Sequence, residues 1–149
     1  MEPLAHRLRP TKLSDVIGQE YLTGKDGIIT KMIENNHLQS FVLYGGPGTG
    51  KTTIGKIIKE MYSLESYEFN ASSDSKAILQ EITNGLFVII DEIHRMKKDT
   101  QDYLLPYLED GRITIIGLTT SNPYISINKA IRSRLNIYQM NSITEKDIV

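Results

Sequence analysis

Eight consecutive residues, Gly45-Gly46-Pro47-Gly48-Thr49-Gly50-Lys51-Thr52, constrain this chain more than any other stretch of it. They fit the spacing G-x-x-x-x-G-K-[ST], which average residue frequencies produce by chance in about one chain in 200 of this length. Glycines let the backbone curl until successive N–H groups face one concavity, and such a concavity binds phosphate. A helix starting near Lys51 adds the positive end of its dipole. Lys51 can then reach the β- and γ-phosphates of ATP, while the Thr52 hydroxyl helps hold Mg²⁺. An accidental glycine-rich turn would not need the flanks found here. Phe41-Val42-Leu43-Tyr44 reads as a buried strand feeding the turn, and Ile54, Ile57, Ile58 and Met61 fall on one face of a following helix. The expected nucleotide contacts run from Gly45 through Gly46, Pro47, Gly48, Thr49, Gly50, Lys51 and Thr52 to Thr53.

Beyond this motif, strand and helix patterns alternate. Tyr67–Phe69, Leu86–Ile90, Ile113–Leu118 and Ile137–Met140 read as further strands. Helices are expected over about 25–37, around Ile78, Leu79 and Ile82, over Asp99–Glu109 with a kink or broken turn at Pro106, and over Asn128–Ser133. Asn84-Gly85 and Gly111 read as stop signals. Such alternation predicts an α/β P-loop nucleoside triphosphatase, a three-layer sandwich around a five-stranded parallel sheet. Residues 1–20 are polar, carry Pro3 and Pro10, and read as an extended arm.

Composition narrows the function classes. A chain of 149 residues, 40% hydrophobic and 23% charged, has the make-up of one soluble globular domain. The formal net charge of −1 draws neither nucleic acid nor an anionic membrane, so any DNA contact needs a local patch or an assembly. With no cysteine there is no disulfide, thiolate zinc site or cysteine nucleophile. The start at Met1 has no apolar signal region, and no run approaches the roughly 18 apolar residues of a membrane helix. The expected location is cytoplasmic, with no membrane partner.

The strand Phe87-Val88-Ile89-Ile90 delivers Asp91 and Glu92 at its carboxyl end, where ligands bind in open parallel sheets. Asp91 is placed to hold Mg²⁺, and Glu92 to orient or deprotonate an attacking water. Two solvated acids capping a strand would look the same without the phosphate motif beside them. Thr119-Thr120-Ser121-Asn122-Pro123 ends the fourth strand. It can be an ordinary polar turn, or it can present Thr120, or less favourably Asn122, to the γ-phosphate or the water. Arg132 and Arg134 on spacing alone read as a solvated pair. His6, His37 and His94 lack ligand spacing, which leaves His94 a structural or hydrogen-bonding role. The basic run Arg95-Met96-Lys97-Lys98 reads first as a solvated loop.

Together these motifs resemble the AAA+ ATPases of the replication-associated recombination protein A family, whose eukaryotic relative is the Werner helicase-interacting protein. The resemblance rests on the glycine-rich loop, Ile90-Asp91-Glu92-Ile93-His94-Arg95, Leu104-Leu105-Pro106 with Leu108-Glu109-Asp110-Gly111, and Thr119-Thr120 through Pro123. Pro3-Leu4-Ala5-His6-Arg7-Leu8-Arg9-Pro10 and Val16-Ile17-Gly18-Gln19-Glu20 extend it to nearly the whole chain. It implies that Arg7, Ile17 and Gly18 wrap the adenine and that Thr120 is the fourth-strand sensor. It also implies that Asn70 restrains Glu92 and that Arg134 is an arginine finger acting on a neighbouring subunit, which requires self-association. The partners implied are DNA at stalled replication forks, single-stranded or junction DNA, and the single-stranded-DNA-binding protein, in a nucleoid-associated cytoplasmic setting.

Three departures from the family pattern stand out. Gly46 replaces the usual proline, and the segment between Ser73 and Gly85 is short and lacks the expected Gly-Val. The chain also stops at Asp147-Ile148-Val149, where a helical lid should begin. The expected organisation is therefore an adenine-contacting arm (1–20), an ATPase core (21–141) and the start of a missing lid (142–149). A clamp-loader subunit or a Holliday-junction motor is the nearest rival. A nucleotide-dependent interaction module without hydrolysis, or a small kinase, would be of a different class, and no acceptor site marks the kinase.

Overall fold

The computed structural model describes residues 12–62, 66–82 and 87–142. Five strands, β1 (Phe41–Tyr44), β2 (Ser66–Asn70), β3 (Phe87–Asp91), β4 (Thr114–Thr119) and β5 (Asn136–Gln139), form one sheet in the order β2-β3-β4-β1-β5. Every pairing is parallel. Parallel neighbours need crossovers, and helices supply them: α1 (Glu20–Thr23), α2 (Ile28–Glu34), α3 (Lys51–Met61), α4 (Lys76–Ile82), α5 (Lys98–Glu109), α6 (Pro123–Ser126) and α7 (Lys129–Arg132).

Strand alternation divides the apolar side chains between two cores. Phe41, Leu43, Ile89, Ile116 and Leu118 pack with Leu22, Ile29, Ile54, Ile57 and Ile58 from α1, α2 and α3 on one face. Val42, Val88, Ile90 and Ile115 pack with Leu79, Leu104 and Ile131 from α4, α5 and α7 on the other. This is the expected three-layer sandwich. Where Ile93 crosses β4, it rests on Gly117. A Cβ there would lie 2.7 Å from Ile93 Cδ1 and 3.2 Å from Val42 Cγ2.

Several expectations need correction. Residues 12–20 are not an extended arm: Leu13–Asp15 forms a 3₁₀ turn, and Leu13 and Val16 are buried with α2 and α3 because their apolar side chains close that face of the core. The helix expected over 25–37 is confined to Ile28–Glu34, entered from Gly27, and a separate turn of helix precedes it. Pro106 does not break α5, which is helical through Glu109. Both Pro106 and Asp102, whose carbonyl loses its intrahelical donor to the proline, lie on the exposed side, where water can serve instead. Met61 continues the apolar stripe of α3 in sequence but is 51% exposed at the helix end. β4 begins and ends one residue later than the apolar run suggests. The stop signal Asn84-Gly85, Leu86, Arg7 with the rest of 1–11, and residues 143–149 lie outside the described residues.

Candidate functional site

The carboxyl ends of the strands form one functional edge. Register places Asn70 beside Asp91, Asp91 beside Leu118, and Thr119 beside Tyr44. β4 separates β1 from β3, so the glycine-rich loop after β1 and the acids after β3 stand about 10 Å apart at the usual strand spacing. A cleft of about 400 Å³ fills that gap. It is lined by Pro47, Gly48, Gly50, Lys51, Thr52 and Thr53 on one side, Asp91, Glu92 and His94 on the other, and Leu118, Thr119 and Thr120 between them.

The loop geometry follows from its glycines. Gly48 and Gly50 hold φ of 77° and 100°, values side chains rarely tolerate, and Gly50 is the residue from which α3 starts. Thr49 Oγ1 donates to the Gly46 carbonyl at 2.8 Å and Lys51 Nζ donates to the same oxygen at 3.0 Å, which closes the loop on itself. Lys51 is 8% exposed. Burial pushes its ammonium below the ordinary pKa, and the nearby Asp91 charge pulls the other way. A buried cation with one carbonyl partner, at the positive end of a helix, fits a phosphate. At Gly46 a Cβ would meet nothing within 4 Å, so the space there admits the side chain that the family pattern carries.

Across the cleft, Glu92 sits at φ 53° and ψ 44°, left-handed backbone that a glutamate seldom adopts. The turn is stabilised where Glu92 N–H donates to Asp91 Oδ1 at 2.9 Å, and Ile93–Arg95 follows as a 3₁₀ turn. Such strain concentrates at functional sites. His94 takes the hydrogen-bonding role expected of it: its Nδ1 lies 2.8 Å from Thr119 Oγ1, which also accepts from Ser121 N–H. Among the described residues no group of histidine, aspartate and glutamate forms a preformed metal cage. Thr52 and Asp91 face one cleft, an arrangement that suits a Mg²⁺ shared with phosphate rather than held by protein alone.

The two sensor candidates separate clearly. Thr120 lines the cleft, whereas Asn122 Oδ1 accepts from Tyr124 N–H and caps the start of α6. Asn70 borders an adjoining cavity of about 430 Å³ that shares Thr52 and Asp91 with the cleft, and its side-chain oxygen accepts from Ser72. Ile17 and Gly18 are not in the cleft wall, and the Gly18 carbonyl accepts from Asn141 Nδ2 beyond β5. Arg134 is at the opposite, amino-terminal edge of the sheet, with Ser40 and Thr114, and pairs weakly with Glu109 at 3.9 Å. It does not meet its own chain's nucleotide cleft. In the basic run, Met96 is buried and Arg95, Lys97 and Lys98 are exposed, as for a solvated loop.

Gln19 was not singled out by sequence reasoning. It is fully buried, and its side chain bridges Thr49 of the loop to Asn141 beyond β5. The only sequence signal was its place in Val16-Ile17-Gly18-Gln19-Glu20.

The model of the Holliday junction DNA helicase RuvB P-loop domain family matches residues 8–139. The chain belongs to this family. It is therefore a nucleotide-binding P-loop domain of the AAA+ type. Among curated relatives it is 46% identical to replication-associated recombination protein A of Bacillus subtilis, covering 97% of this chain and 36% of that protein. It is 41% identical to ATPase WRNIP1 of Dictyostelium discoideum, covering 98% of this chain and 18% of that protein. Among solved structures, the Thermotoga maritima RuvB Holliday junction branch migration motor superposes with a TM-score of 0.78 at 26% identity, over 95% of this chain and 51% of the other. The chain thus spans about a third or less of the length of these two curated relatives. No helix among the described residues is long and apolar enough to cross a membrane.

Proposed function

We propose that this chain is the ATP-binding and ATP-hydrolysing core of an AAA+ protein that acts on DNA during replication and recombination. The observation that carries the reading is the meeting of Lys51, Thr52, Asp91 and Glu92 in one cleft at the carboxyl edge of the sheet. Lys51 and the N–H groups of the loop bind the phosphates. Thr52 and Asp91 would hold Mg²⁺, which when bound supplies positive charge to the phosphate oxygens. Glu92 accepts the proton of the attacking water, and Thr120 positions that water or the γ-phosphate. Arg7, Ile17 and Gly18 are the proposed adenine contacts, and Asn70 the proposed restraint on Glu92. Arg134, stranded at the far edge, completes a neighbour's site.

Relatives named for replication-associated recombination support DNA as the partner. Single-stranded or junction DNA at forks, the single-stranded-DNA-binding protein and a cytoplasmic setting complete the proposal. The fold shared with a branch migration motor favours a second reading, a Holliday-junction motor. Phosphate release, followed against protein concentration with and without single-stranded or four-way junction DNA, tests both. The proposal expects turnover per chain to rise with concentration and to respond to DNA. Vigorous hydrolysis independent of concentration would remove the trans-acting Arg134, and stimulation by junctions alone would favour the motor.

A further inference from the structure

We propose that Gln19 is a positioning residue through which occupancy of the phosphate-binding loop is transmitted to Asn141, where the chain leaves β5. This rests on the ATP-binding reading and goes beyond it by naming the route out of the site. The Gln19 amide is fully buried, with both its N–H groups and its oxygen hydrogen-bonded. Nε2 donates to the Thr49 carbonyl at 3.0 Å and to the Asn141 carbonyl at 2.8 Å, and Oε1 accepts from Asn141 N–H at 2.9 Å. One side chain therefore joins two segments that lie 122 and 30 residues from it.

The surroundings anchor this bridge at its Gln19 and Asn141 ends. The Gln19 carbonyl accepts from the backbone of Leu22 and Thr23 and from Thr23 Oγ1, fixing it at the start of α1. Asn141 is held a second time, by Nδ2 donating to the Gly18 carbonyl at 3.2 Å. Just before it, Met140 packs on the loop, because a Cβ on Gly45 would lie 2.8 Å from Met140 Cβ.

The link to nucleotide follows from peptide planarity. Thr49 C=O and Gly50 N–H belong to one trans peptide and point in opposite directions. Gly50 lines the cleft, and its N–H has no protein acceptor among the described residues. A phosphate accepting from that N–H sets the plane of the peptide and polarises its carbonyl. The bond from Gln19 strengthens in turn. Without an anion the glycines on either side of Thr49, both at positive φ, let the peptide swing. Gln19 thus senses whether the loop is filled, and its other donor and its acceptor pass that to Asn141.

Amide hydrogen exchange on this chain, with and without Mg²⁺–ADP, tests the proposal, followed by the same measurement on Gln19→Ala. ADP is expected to slow exchange within residues 48–53 and also to slow the Asn141 amide by about tenfold. In Gln19→Ala the loop still responds to ADP and Asn141 does not. A passive strut would leave Asn141 equally protected with and without ADP. Loop protection with an unchanged Asn141 amide in the unmutated chain overturns the proposal while the ATP-binding reading stands, whatever the stability of the variant. A Gln19→Ala chain in which Asn141 still responds overturns it as well, and an unprotected loop overturns both.

Discussion

Lys51 shows how one buried charge sets the behaviour of the site. Its burial lowers the pKa from the ordinary 10.5, so between the folded value and 10.5 the unfolded chain holds more protons. The cost of burying the cation is therefore full below the folded pKa and fades as pH rises toward 10.5. Bound triphosphate restores an anionic partner, so ATP affinity should fall on the alkaline side at a pH below 10.5, as titrations from neutral pH to about 10 would show. In Lys51→Arg, whatever its affinity at neutral pH, that alkaline fall should vanish because a guanidinium stays charged. Glu92→Gln should keep ATP binding and lose turnover by about 10²–10⁴-fold, the usual worth of a general base, in a phosphate-release assay. The convergence of Lys51, Thr52, Asp91 and Glu92 on one cleft was legible because the motifs that carry them depend on local spacing. The Gln19 bridge was not, because its partners lie far along the chain, and the structure adds to the preference for Thr120 over Asn122 a capping bond that occupies Asn122.

At the scale of the element, apolar patterning located β1, β3 and β4 to within a residue, since central parallel strands must be apolar on both faces, and from shorter runs it located the edge strands β2 and β5 as closely. It missed α1, a single turn too short to show a period, and overextended α2, whose polar ends follow no core. Packing at the β4 crossing is tight enough to predict. Gly117→Ala should cost about 1–3 kcal/mol in denaturant unfolding, because the added methyl meets Ile93 and Val42, both buried. Gly46→Ala meets no such barrier and has no positive φ to satisfy. It should raise stability by about 0.4–1 kcal/mol through the unfolded chain, with nucleotide affinity kept.

For the molecule as a whole, the sheet carries the cleft on one edge and Arg134 on the other, so the role proposed for Arg134 calls for a second chain. Mixing Arg134→Ala with Lys51→Ala should therefore recover hydrolysis that neither variant shows alone, because one chain keeps its loop and the other its finger. Mixtures no more active than the separate variants would leave Arg134 without that role. The proposed assembly rests in sequence on family resemblance, since Arg132 and Arg134 carry no spacing signal of their own. The central claim, a phosphate cradle built around Lys51, is tested most directly by titrating a fluorescent ATP analogue with Mg²⁺ against this chain and Lys51→Ala. The account predicts saturable binding by the unmutated chain and affinity weakened by about 10–100-fold in the variant, the worth of one charge-assisted hydrogen bond. Equal binding by the two, or none by the unmutated chain, would contradict it.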